Sequence, residues 1–164
     1  MKKLKKIEYV VDPAVMKILV NVKATIRDAE TGKVKRVKNY HNLVVTAGKA
    51  AIAEFLGRST PSFATLSPNY CAVGTGTNTP AAGNTALQTE TARTVIASKS
   101  FSSNVVYLTG FFGATDVSGT LREVGLLINA TSTSGTGTLF NRVAINVTKA
   151  ITETLTIDFT ITIT

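Results

Sequence analysis

Hydrophobic and polar positions alternate with a period of two over most of this chain, the pattern of strands with one face on a core. The clearest run is residues 153–164, where Leu155, Ile157, Phe159, Ile161 and Ile163 share one face and Thr154, Thr156, Asp158, Thr160, Thr162 and Thr164 the other. Over residues 16–27 the same period sets Ile18, Val20, Val22, Ala24 and Ile26 against Lys17, Asn21, Lys23, Thr25 and Arg27. Residues 28–32 (DAETG) supply turn formers and a glycine suited to positive φ, so 33–45 reads as the return strand of a hairpin. Further strands are predicted at 70–73, 93–101, 105–112, 121–129 and 139–146, separated by turns at 102–104, 116–119 and 130–138. The one helical pattern is 46–57 (TAGKAAIAEFLG), with Thr46 placed to cap its start and Ile52, Phe55 and Leu56 on one face. Residues 58–69 read as a Ser/Pro loop, and 74–86 as a long uncharged loop. Seven or eight strands at this spacing predict a mainly all-β fold, an antiparallel β-sandwich or jelly-roll-like barrel with one short helix. Residues 16–164 form a single domain in this reading, and 1–15 an extended basic N-terminal arm.

Charge changes that picture only at one end. The 164 residues carry a net charge of +8, yet residues 1–50 hold 12 Lys and Arg against 4 Asp and Glu, while 51–164 hold 6 against 6. Lys2, Lys3, Lys5 and Lys6 make a cationic arm, and Lys33, Lys35, Arg36 and Lys38 load the second strand of the hairpin. These eight are the candidate partner-binding residues. An acidic protein surface suits them better than nucleic acid, because Lys outnumbers Arg and only Tyr9 and Tyr40 are near. A segment as charged as the arm is expected to order only on its partner. Cys71 is alone, so no internal disulfide and no oxidising compartment is implied. Glu8, Asp12 and Lys17 interrupt the apolar stretch a secretory signal would need. No apolar run reaches the roughly 18 residues of a membrane span, and a soluble protein made in a reducing cytoplasm is expected.

Chemistry is hard to find. AVGTGTNTP offers Gly74 and Gly76, but Thr79 stands where a dinucleotide fingerprint needs its third glycine, no Lys-Ser/Thr pair follows, and Pro80 opposes a helix. The only histidine, His41, has nothing in sequence to bring it to Cys71, so no nucleophile and base are evident. Metal-ligand spacings are missing, and no catalytic, cofactor-binding or metal-binding residue is assigned. Glu90 and Glu123 could form an acid and base pair, although pairing with Arg93 or Arg122 is the plainer use. Arg122 and Glu123, adjacent within TLREVGLLI, are expected to serve a structural ion pair or to fix a loop.

From Leu43 onward the chain resembles small virion proteins and tail-fibre amino-terminal domains of tailed bacteriophages. The resemblance rests on LVVTAGKAAIAEFLG (43–57), YCAVGTGTNTPAAGNTALQTE (70–90), TLREVGLLI (120–128), GTLFNRV (137–143) and TKAITETLTIDFTITI (148–163), in that order. It implies a non-enzymatic β-rich module of a virion assembled in the host bacterial cytoplasm, with the major capsid protein or other virion proteins as partners and a homo-oligomer within the particle. Fibres of this kind continue into long shafts, whereas this chain stops after its last strand. A capsid decoration or cement protein is therefore the leading expectation, a tail-fibre, baseplate or neck adaptor its competitor, and a nucleic-acid-binding module using the basic segment the alternative of another class.

Overall fold

The computed structural model describes residues 17–57 and 65–164. Nine strands and one helix follow in the order β1 (Ile18–Asp28), β2 (Val34–His41), β3 (Leu43–Val44), α1 (Thr46–Gly57), β4 (Pro68–Gly74), β5 (Glu90–Ser102), β6 (Val105–Phe112), β7 (Gly119–Ile128), β8 (Thr138–Lys149) and β9 (Glu153–Ile163). All pairings are antiparallel, and the strands make one sheet in the order β2-β1-β9-β6-β5-β4-β7-β8-β3. The fold is the all-β, barrel-like structure expected from the alternation.

The sheet curls until its two edges meet, and the chain itself crosses the gap. The predicted return strand 33–45 breaks at Asn42, which separates β2, at one edge, from β3, at the other. The Asn42 amide donates to the Val20 carbonyl at 3.1 Å, a last bond to β1 before the chain passes to β8. This break accounts for nine strands where seven or eight were expected.

Alternate residues of the strands fill the interior: Val20, Val22, Ala24 and Ile26 of β1, Leu155, Ile157, Phe159 and Ile161 of β9, and Val124, Leu126 and Ile128 of β7 are all buried. The hairpin turn forms as its composition predicts, with the Asp28 carboxylate accepting from the Thr31 amide at 2.9 Å and Gly32 at a φ of 69°. Helix α1 packs on β8 through Gly48, where an added Cβ would lie 2.2 Å from the Phe140 carbonyl oxygen. That approach leaves room only for glycine.

A second layer covers part of the outside. Residues 75–89 run over the outer face of β4, β7 and β8, and Leu87 packs with Ala72, Leu127 and Leu139 in a separate apolar cluster. The Thr46 amide at the start of α1 donates to Ala82 of this loop at 2.7 Å. The loop therefore runs from the end of β4 to the helix end of the barrel, and something must hold it there.

Candidate functional site

Glu123 and Arg142 hold it. Both side chains are buried on the outer side of the barrel wall, 0% and 1% exposed, beneath the 75–89 loop. One carboxylate oxygen of Glu123 accepts from the amides of Gly76 at 3.1 Å and Thr89 at 2.7 Å, and the other from the Gln88 amide at 2.8 Å and Arg142 Nε at 2.8 Å. The remaining guanidinium nitrogens of Arg142 reach Asn84 Oδ1 at 2.9 Å and the Asn78 carbonyl at 3.2 Å. A buried ion pair is stable only when its other polar positions are also satisfied, and here three backbone amides and two loop oxygens do so. Gly76 has no room for a side chain, because a Cβ would sit 2.4 Å from Glu123 Oε1. The glycines of AVGTGT thus cradle an anion, but the anion is the chain's own carboxylate.

This arrangement corrects the sequence reading of Arg122 and Glu123 as a pair. Arg122 is exposed, and the partner of Glu123 is Arg142, across β7 and β8. Arg142 was detectable in principle, as a lone cation inside the apolar run LFNRV that had to find a buried counter-charge. Glu90 and Glu123 lie on β5 and β7 to either side of Gly74, and each has its own arginine. Arg93 takes Glu90 in a two-pronged pair, with Nη2 to Oε2 at 2.7 Å, and reaches the carbonyls of Thr131 at 2.9 Å and Thr136 at 3.2 Å. It ties down the turn between β7 and β8 as Arg142 ties down the 75–89 loop. Lys149, 1% exposed at the end of β8, donates to the carbonyls of Ala114 and Val117 at 2.8 Å each. Burial pushes its ammonium below the usual lysine range, with Asp116 and Glu153 opposing that shift.

The hairpin cations close the barrel. β3 covers only Asn141 and Arg142 of β8, and farther along side chains of β2 take over the exposed backbone edge. Lys38 Nζ donates to the Asn146 carbonyl at 2.6 Å, and the Tyr40 hydroxyl both donates to that carbonyl at 3.2 Å and accepts from the Asn146 amide at 3.1 Å. Arg36 donates to the Thr148 carbonyl at 3.0 Å and to Glu153 at 2.8 Å, while Lys35 bridges Asp28 at 2.9 Å and Glu153 at 3.6 Å. The Ala150 amide, with Arg36, holds the Glu153 carboxyl below the usual carboxylate range. The Thr31 amide and Lys35 do the same for Asp28, and Asp28 in turn raises Lys35. Of the four hairpin candidates, Lys35, Arg36 and Lys38 are therefore engaged within the chain, and Lys33 is exposed near the turn. Lys2, Lys3, Lys5 and Lys6 lie outside the described residues.

The structure does not bring His41 and Cys71 together. His41 is exposed at the end of β2, with Nδ1 3.1 Å from Asn21 Oδ1, whereas Cys71 is fully buried on β4. Burial raises the Cys71 thiol far above its ordinary range, which leaves it a packing group. Among the described residues no three His, Cys, Asp or Glu side chains are grouped closely enough to hold a metal ion, and no helix is long and apolar enough to cross a membrane. Comparison with protein-family models, with curated proteins and with solved structures finds no match.

Proposed function

We propose that this chain is a non-enzymatic structural protein of a tailed-bacteriophage virion, acting as a decoration or cement protein on the outside of the assembled capsid. The observation that carries the reading is the meeting of its sequence blocks: Gly76 of AVGTGT, Glu123 of TLREVGLLI and Arg142 of GTLFNRV form one buried lock. The residues that make the chain resemble virion modules are those that fasten a long loop onto a rigid wall. Such a lock suits a protein whose work is to present a fixed surface. Internal engagement of Lys35, Arg36 and Lys38 argues against a nucleic-acid role for the hairpin, since those cations already have partners.

A protein that binds the assembled shell and not its dissociated subunits stabilises the shell by linkage. The partner in this reading is the major capsid protein, met by the basic segment and the exposed tip at Lys33. Quantitative mass spectrometry of purified particles should count the chain in hundreds of copies per virion. Capsids stripped of it should dissociate at lower temperature and recover when it is added back. A handful of copies per particle would overturn the cement reading in favour of a tail or neck position, and absence from particles would overturn the virion reading altogether.

A further inference from the structure

We propose that the outer face of β2, β1, β9 and β6 is a binding groove for a neutral oligosaccharide. The face carries a shallow cleft of about 490 Å³, and of the polar side chains that line it only Tyr40 also serves the seam. Strand register sets those side chains in two rows. His41, Asn21, Thr160 and Tyr107 stand opposite one another across the four strands, and Lys23, Asp158 and Thr109 form the next row. With strands about 4.8 Å apart, the first row runs roughly 14 Å from His41 to Tyr107, the scale of an oligosaccharide and longer than one sugar ring.

The chemistry of the rows selects the ligand. Lys23 and Asp158 stand 3.9 Å apart and cancel in charge, and Asp158 also accepts from Thr109 at 2.9 Å. A phosphate or sulfate would meet that carboxylate, so an anionic ligand is disfavoured. A peptide adding as a strand is excluded at β1 and β9, because both are paired on each side. What the groove offers is hydrogen-bonding capacity on fixed backbone, since Asn21, Thr160 and Tyr107 can each donate and accept. When Nδ1–H of His41 donates to Asn21 Oδ1, its Nε2 is left an acceptor. At the far end Tyr107, 44% exposed, presents an aromatic face with a hydroxyl at its tip. An apolar ring face beside convergent neutral polar groups matches a hydroxyl-rich ligand with apolar C–H faces. This inference rests on the groove alone and is independent of the virion reading.

The test is binding of the full chain to an array carrying neutral hexose and N-acetylhexosamine oligosaccharides alongside sialylated and sulfated ones, followed by titration of each glycan retained. The expected result is binding to one or more neutral glycans, unchanged by added salt, and reduced at least tenfold by both Tyr107→Ala and Asp158→Asn. Both side chains are on the surface, and an unaltered melting curve for each variant separates lost contact from lost fold. Three results would overturn the proposal: no neutral glycan retained, retention of anionic glycans alone with affinity that falls as salt rises, or neutral binding that both substitutions leave intact.

Discussion

Replacing Glu123 by Gln tests the lock most directly, because it keeps the shape and removes the charge. The amide nitrogen of Gln cannot accept a hydrogen bond, so whichever carboxylate oxygen it replaces, two donors lose their acceptor. Those are Gly76 and Thr89 on one side, or Gln88 and Arg142 on the other. Each buried donor left unpaired costs about 1–3 kcal/mol. The sum agrees with the roughly 3–5 kcal/mol lost when one partner of a buried ion pair is removed. At about 2–4 °C per kcal/mol for a domain of this size, Tm should fall by roughly 10 °C. Arg142→Met should cost a comparable amount, because Glu123 keeps three backbone amides but loses its counter-charge, and the Asn84 and Asn78 oxygens lose a donor. Urea unfolding followed by circular dichroism gives the two free energies. Hydrogen exchange at Gly76, Gln88 and Thr89 reports whether the loop lifts before the barrel unfolds. The reasoning fails if either variant stays within about 0.5 kcal/mol of the parent, as ordinary surface changes do.

Other predictions follow from the same packing. Gly76→Ala should destabilise by about 1–3 kcal/mol, since its Cβ would sit 2.4 Å from Glu123 Oε1 and 2.5 Å from Gln88 Cβ; an unshifted urea midpoint would show that the cradle can relax. Phe159→Ala, on a central strand and 1% exposed, should cost about 3–5 kcal/mol, and a melting curve like the parent's would place that side chain outside the core. Asp28 and Glu153 have folded-state pKa values below their unfolded ones, so their contribution is complete above about pH 5 and is lost as acid takes the pH down through the lowered values. Stability measured from about pH 5 to about pH 2 should therefore fall, and Arg36→Met should flatten the part due to Glu153; a profile flat in the parent would contradict this. Cys71 should react with a thiol reagent only as the protein opens, so rapid labelling of the folded protein would contradict its burial.

The fold was legible where one rule settled each residue's surroundings. The period-two runs that became β1 and β9 each have one face on the core, and the alternation survives in their burial except at Thr25, which is buried, and Ile163, which is exposed at the end of β9. The break at Asn42 was not legible, because 33–45 is continuous as a pattern and the step from β2 to β3 exists only once the sheet has curled far enough to set its two edges side by side. Glu123 stood out as a charge within an apolar run, yet its partner could not be read from adjacency. Pairing with Arg142 depends on the register of β7 with β8, which shifts at two places. Three of the hairpin cations looked like a docking patch for a related reason, since alternation says only that they face away from the core and not that a neighbouring strand edge is waiting for them.

That edge explains how polar residues are distributed over this protein. Because the two edge strands are joined through a single residue and pair with each other nowhere, the free backbone of β8 must be satisfied by side chains. Lys38, Tyr40 and Arg36 do so, and Glu153 balances the charge they bring. The charge of β2 is thus a consequence of closing the barrel. Once the seam and the loop locks are assigned, the groove of His41, Asp158 and Tyr107 is a polar face with no such structural duty. For that reason the search for a ligand belongs there and not with the seam cations of β2.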